Sequence, residues 1–271
     1  MSEQSGAHSP IGAYFEAIAP GRYRPTETAG GAWNADEIHF SPLSGLIVHA
    51  IDLHRAAADS GTNAKELGRM SFDILGFLAA SDCEIRVETI RPGRTIELIE
   101  ATVIIAGRPA VLARAWFIAT TDTSGVAGGQ PAPLPSPDDC APWSMADIWP
   151  GGYVASVDFR SVAPPRAGQA SAWLRTETAL VAGEGSSPHA AFVALVDTAN
   201  GIAVRESPLE WTYPNLDLTV HLHRQPTGSW VGLDTTVIFG PAGHGLTSSV
   251  LHDENGPVGR AEQILTVRPT S

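Results

Sequence analysis

Two aspartates in this sequence stand where a carboxylate needs an explanation. Asp197 follows an almost wholly apolar run, Ala190-Ala191-Phe192-Val193-Ala194-Leu195-Val196. A carboxylate with such neighbours must find hydrogen-bond partners or let desolvation raise its pKa. A raised pKa suits a general base working near neutral pH. An aspartate buried only for structure carries the same local signature. Asp217 interrupts a strand-like stretch. There Leu216, Leu218, Val220 and Leu222 share one face, and Asp217, Thr219, His221 and His223 share the other. That polar face is either solvated surface or a site. Gln263 gains meaning beside such an aspartate, because an amide can hold a water that a carboxylate activates.

Further polar residues suggest less. His221 and His223 have a spacing that can chelate zinc from one strand, but no cysteine or carboxylate cluster completes the set. Neither a metal nor a cofactor is expected. His49, Asp52 and His54 decorate a helix, where a lone histidine is more often a packing residue. Arg91 and Arg94 flank the Pro92-Gly93 turn and have the chemistry to meet phosphates. The chain has no Gly-x-Ser-x-Gly elbow, which argues against a serine hydrolase. It also lacks a P-loop and a Gly-x-Gly-x-x-Gly fingerprint.

The elements that must position these residues fall into two similar halves. Ile11–Ile18 reads as a helical turn or two, and Gly31–Phe40 as a strand. Ser44 reads as the N-cap of a helix with apolar positions Leu46, Ile47, Ala50, Ile51 and Ala57, ending at Gly61. Strands follow over Met70–Ala79, Cys83–Ile90, Thr95–Ala106 and Ala110–Ala119. Residues 121–142, rich in proline and glycine, form a connector. The order then recurs. Strands are expected over Val154–Val162 and Gln169–Leu180, then a helix from His189 to about Ala203 behind Ser187-Pro188. More strands lie over Leu216–His223, Ser229–Phe239, Leu246–His252 and Gly259–Val267. This pattern predicts an α+β architecture with an internal duplication, its domains at 11–120 and 143–271 around the linker.

Several of these segments resemble a known family. Glu88-Thr89-Ile90-Arg91-Pro92-Gly93-Arg94-Thr95 and Val103–Phe117 are similar to the first half of acyl-CoA thioesterase II. Leu216–Arg224, Trp230, the Gly256 turn and Gln263 are similar to its second half. The resemblance covers roughly residues 30–120 and 185–268. It implies a double hot dog, two antiparallel sheets each wrapped on a long helix. It also implies hydrolysis of acyl-CoA to free acid and CoA by an aspartate, a threonine and a glutamine that orient a water. Asp217 and Gln263 match the aspartate and the glutamine. Counting from Trp230 puts Ile238 at the threonine position, and Thr236 shares its face. Leu195–Gly201 resembles the segment that carries the catalytic acid of single-domain hot-dog thioesterases, which would make Asp197 that acid. Arg91 and Arg94 would then hold CoA phosphates, and backbone N–H groups at the start of the second helix would stabilise the oxyanion. The second reading is a non-catalytic acyl-CoA or lipid-binding protein that has lost its threonine. A hot-dog hydratase is disfavoured, because no Gly-Asp-x-Asn-Pro stretch is present.

The bulk properties bound these readings. The net charge is −12 over 271 residues, and Lys65 is the only lysine. An acidic chain without a basic stripe is a poor ligand for nucleic acid or for anionic membranes. The first ten residues lack the pattern of a signal peptide, and no apolar run is long enough to span a bilayer. A cytoplasmic address is therefore expected. Two cysteines, Cys83 and Cys140, leave a disulfide open from sequence alone. Two hot dogs in one chain would mimic the dimer of single ones and leave room for a homo-oligomer.

Overall fold

The computed structural model describes residues 12–58 and 64–270. The expected tail Met1–Pro10 and the helix stop at Gly61 lie outside them. In the first half, β1 (Ala13–Ala19) and β2 (Arg22–Pro25) precede helix α1 (Phe40–Ala58). Strands β3 (Lys65–Ile74), β4 (Cys83–Arg91), β5 (Ile96–Ile105) and β6 (Arg108–Ala119) follow. The connector then leads into β7 (Ala141–Pro142), the one-turn helix α2 (Gly152–Ala155), β8 (Val157–Ser161), β9 (Gln169–Thr176) and β10 (Ala179–Val181). Helices α3 (Pro188–Val196) and α4 (Ala199–Ile202) come next. The chain closes with β11 (Trp211–Thr212), β12 (Asp217–Leu222), β13 (Val231–Phe239), β14 (His244–Asp253), β15 (Gly256–Thr266) and β16 (Arg268–Pro269).

Fourteen of these strands form one continuous sheet, in place of the expected pair of sheets. β3 and β12 pair antiparallel at its centre, from Asp217 opposite Asp73 to His221 opposite Arg69. Outward from that seam the order is β3-β6-β5-β4-β2 on one side and β12-β15-β14-β13-β9 on the other. Both sides therefore carry the same order of elements. β10, which follows β9 after two residues, pairs in parallel with β1 at the far edge of the first half. The chain thus ties the two ends of the sheet together.

The sheet curls around two antiparallel helices. Ser44 Oγ donates to the Val193 carbonyl near one end, and Asp52 accepts from Ser187 and His189 at the other. Gly45 sets the separation. A Cβ added there would lie 2.5 Å from Ala194 Cβ, so only glycine lets α1 and α3 approach this closely. Ser44 is therefore an interhelical bridge inside α1 and not its cap, since the helix begins four residues earlier at Phe40. Ser187 does cap α3, accepting from the Ala190 N–H. Leu46, Ile47 and Ile51 of α1 and Val193 and Val196 of α3 are buried in the shared core.

Other local expectations need correction. Residues 13–19 form strand β1, because Phe15 and Ala17 find ladder partners in β2. Residues 31–37 make turns with only isolated bridges, and the left-handed backbones of Gly31 (φ 114°) and Ala32 (φ 68°) break any strand there. The second helix does not run on to Ala203; it stops at Val196, and a separate turn, α4, begins at Ala199. Both cysteines are free and buried. No helix among the described residues is long and apolar enough to cross a membrane.

Candidate functional site

The break in the second helix is where Asp197 sits. Asp197 ends α3, at the negative end of the helix dipole, and Thr198 precedes α4. Because the helices run antiparallel, this end of α3 meets the N-terminus of α1. Ser41 and Thr198 hydroxyls lie 3.2 Å apart across the junction, and Tyr153 Oη lies 2.6 Å from Thr198 Oγ1.

Asp197 is buried and has two side-chain donors. Asn215 Nδ2 and Gln263 Nε2 each donate to Oδ1 at 2.8 Å. Oδ2 has no partner among the described residues. Burial pushes the carboxyl up to about 6, and the two amides pull the other way by favouring the charged form. The result is a carboxylate anchored through one oxygen, with the other free, and a proton affinity close to neutrality.

Gln263 reaches this position because β15 alternates. Ala261, Gln263 and Leu265 face inward and Arg260 and Ile264 face out. Its Oε1, like Thr247 Oγ1 on the paired residue of β14, is a buried atom with no protein partner.

Asn215 arrives by a register slip. β12 and β15 pair from Thr219 opposite Glu262 to Leu222 opposite Gly259, whereas Asn215 bridges Leu265, one residue out of that register. Such a bulge re-aims side chains. In a regular strand Asn215 and Asp217 would share a face. Here Asn215 turns in towards Asp197, while the full burial of Leu218 sends Asp217 out. Asp217 Oδ1 accepts the Ile264 N–H at 2.7 Å, and Asn215 Nδ2 also donates to the Asp217 carbonyl. The Asp217 side chain thus satisfies a backbone donor at the slip. Its pKa is raised, first by burial.

The structure therefore brings Asp197 and Gln263 together and does not bring Asp217 or Thr236 to them. Thr236 is exposed on β13, beside the exposed Ile238; its neighbour Thr235 faces in and lies 2.8 Å from Ser249 Oγ. The threonine expected with Asp217 and Gln263 is not among the partners of Asp197, whose second donor is Asn215. A sequence reading of β12 as one regular strand hides it, since only the slip separates Asn215 from the polar face.

The cavity in front of Asp197 measures about 130 Å³. Trp33, Glu37, His39, Phe40, Asn200 and Asn215 are among its walls, so both halves line it. Gly31 and Gly151 cross so closely that a Cβ on either would lie within 2.6 Å of the other's Cα. This crossing joins the loops that carry Trp33 and Trp149, whose rings meet edge-on at 4.7 Å. Trp149 Nε1 donates to the Gly201 carbonyl. Glu37 is a second carboxyl in the same cavity. Burial first, then the charge of Asp197, pushes it up to about 7.

The remaining predicted residues lie elsewhere. Arg91 and Arg94 are exposed at the β4–β5 turn, where Arg91 donates to the Ile96 carbonyl. β4 approaches α1 near His54, whose Nε2 is 3.0 Å from Thr89 Oγ1. At 1.5 Å per residue, His54 is about 21 Å along α1 from the Phe40 end that meets Asp197. His49 pairs with Glu184 at 2.8 Å, and Asp52 is held by Ser187 and His189. His221 and His223 are exposed. No group of three or more His, Cys, Asp or Glu able to hold a metal occurs among the described residues. The start of α3 is also at the Asp52 end, so the helix terminus that faces Asp197 is that of α1.

Comparison with known proteins places this chain in a family. The family model for the acyl-CoA thioesterase N-terminal domain matches residues 29–118, and that for the acyl-CoA thioesterase C-terminal domain matches residues 137–267. Among solved structures, the chain is similar to an acyl-CoA thioesterase II, TesB2, from Mycobacterium marinum. The TM-score is 0.65 at 15% identity, with 95% of each chain covered. It is also similar to a hot-dog-fold protein of unknown function from Alicyclobacillus acidocaldarius. That TM-score is 0.73 at 12% identity, covering 98% of this chain and 100% of that one. At these identities the structural likeness carries the hot-dog fold alone. No curated protein sequence matches the chain.

Proposed function

Because this chain belongs to the acyl-CoA thioesterase family, we propose that it hydrolyses acyl-CoA to free acid and CoA, with Asp197 as the base. The observation that carries this reading is the asymmetric anchoring of Asp197. Asn215 and Gln263 both hold Oδ1, which leaves Oδ2 to take a proton from water. The water oxygen attacks the thioester carbonyl carbon as that proton moves to Oδ2. The tetrahedral intermediate then collapses, the C–S bond breaks, and the proton on Asp197 passes to the departing CoA sulfur. No covalent intermediate on the enzyme is required.

The raised pKa supports the role. A base poised near the working pH combines a useful ionised fraction with real proton affinity. The pKa of Glu37 in the same cavity is raised as well, by burial and by the charge of Asp197, so a negative charge on Asp197 disfavours a second one there. The cavity favours a compact acyl group. An apolar cavity of about 150 Å³ holds one benzene ring, and this one measures about 130 Å³. Arg91 and Arg94 serve CoA phosphates in this reading only if the coenzyme spans the length of α1.

The test is thiol release over a panel from acetyl-CoA to palmitoyl-CoA. Turnover should be greatest for short or compact acyl groups. Turnover that rises steadily to palmitoyl-CoA would refute the size argument. Binding of acyl-CoA without release of thiol from any member would refute hydrolysis itself.

A further inference from the structure

Histidine 39, just before α1, has one ring nitrogen committed and the other free. Its Nδ1 accepts the Ser41 N–H at 3.1 Å, so the side chain caps the start of the helix. A backbone N–H can only donate, so Nδ1 carries no proton. The ring is neutral, because burial lowers its pKa to about 3. In a neutral imidazole the single proton must then sit on Nε2.

The ring is also held in place. It stacks on Tyr153 with centroids 4.1 Å apart and planes at 28°. The Tyr153 hydroxyl is in turn 2.6 Å from Thr198 Oγ1, next to Asp197. His39 and Asp197 line the same cavity, one contributed by each half. Nε2 has no hydrogen-bond partner among the described residues. The cavity thus has an anchored carboxylate from one half and an unspent, fixed N–H from the other.

We propose that His39 Nε2–H donates a hydrogen bond to the thioester carbonyl oxygen and stabilises the oxyanion that forms there. This rests on reading the cavity as a thioester site. The proton stays on Nε2 throughout. The hydrogen bond strengthens as charge moves from the carbonyl bond to the oxygen, which is where preorganised donors contribute most. Neutrality suits the task, because a neutral imidazole beside a helix N-terminus polarises a carbonyl without exchanging protons with the base.

The test separates the donor from the cap. His39→Ser retains a capping oxygen but cannot reach the cavity, and His39→Gln retains an N–H of similar reach. Steady-state kinetics should show kcat lower by about a hundredfold in His39→Ser, KM within about threefold of wild type, and substantial recovery in His39→Gln. Two non-hydrolysable analogues give a second reading. One is a ketone with CH2 in place of sulfur, and the other is a thioether with CH2 in place of the carbonyl. Wild type should prefer the ketone, and His39→Ser should lose that preference. The carbonyl stretch of the bound ketone should shift to lower frequency in wild type. Undiminished kcat in His39→Ser overturns the assignment, as does an unshifted carbonyl in wild type, which needs no variant to fold. If wild type cleaves no acyl-CoA, the thioesterase reading fails; if it does and His39→Ser matches it, the donor alone fails.

Discussion

The two halves of this chain share an order of strands, and two of the differences between them bear on Asp197. Helix α1 of the first half runs unbroken for 19 residues, whereas its counterpart stops after nine at Val196 and restarts at Ala199. Strand β3 reaches the central seam through residues 69–73, whereas β12, its partner there, slips register just beyond, at Asn215. These two irregularities meet at Asp197, whereas other register shifts lie away from it, at Leu251–His252 in the second half and along β1–β2, β3–β6, β4–β5 and β5–β6 in the first. The helix break presents Asp197, and the strand slip delivers Asn215 to it. A duplicated scaffold thus brings a helix end and a strand end of the second half together at one carboxylate, while the first half supplies opposing walls of the cavity and a helix N-terminus.

The contrast can be broken by experiment, and the largest effect belongs to Asp197. Asp197→Asn should lower kcat by about a thousandfold, within the range for loss of a general base. It should also raise the melting temperature at pH 8, because a buried charge has been removed. Near-normal turnover in this variant would move the chemistry elsewhere, with Asp217 the first residue to examine.

The amides come next. Asn215→Ala and Gln263→Ala should each lower kcat by about ten- to a hundredfold. Each should also move the midpoint of the pH–rate profile above 6, because a lost donor no longer favours the charged carboxylate. Asn215→Thr, which supplies a hydroxyl donor at the same place, should retain more activity than Asn215→Ala. Midpoints that stay at the wild-type value would show that the amides do not hold the working base.

The wild-type pH dependence follows from the same carboxyl. Activity should rise as pH increases through about 6, as Asp197 ionises. Stability should run the other way. The folded pKa lies above the ordinary 3.8, so the folded protein binds the extra proton between these values. That contribution is fully present below 3.8 and is lost as pH rises through 6. At 1.36 kcal/mol per unit it amounts to about 3 kcal/mol. Urea titrations at pH 4.5 and 7.5, compared between wild type and Asp197→Asn, would isolate it. A wild-type pH dependence matching that of Asp197→Asn would contradict the assignment.

The smallest effect is expected at Asp217. Asp217→Ala removes the acceptor of the Ile264 N–H and should cost about 1–2 kcal/mol of stability, with kcat within a fewfold of wild type. Asp217→Asn, which keeps an oxygen there, should be milder still. A loss of kcat as large as that of Asp197→Asn would erase the distinction between the two aspartates.

Much of this molecule was legible in its residues. The strands from Cys83 to Ala119 and from Val231 to Thr266 follow from β-branched residues between glycine and proline turns. The cap at Ser187 and the repeat of elements about the connector are equally local. Asp197 drew attention because a carboxylate after seven apolar residues must be accounted for, and Gln263 because an amide complements a carboxylate, although the sequence paired it with Asp217. These are consequences of neighbours in sequence, where desolvation and alternation act over a few bonds.

The partners of Asp197 were decided only in three dimensions. Alternation extended back from Asp217 would put Asn215 on the same face, and a single slipped residue separates them. That slip depends on how β12 meets β15, where Asn215 bridges Leu265, 50 residues further along the chain. The helix break at Asp197, the meeting of its end with the N-terminus of α1 and the approach of His39 likewise depend on antiparallel packing across Gly45. The sequence by itself determined most of the elements and the presence of an unusual carboxylate. The tertiary structure decided which donors hold it, because register and helix packing are set by long-range burial, to which no local pattern is sensitive.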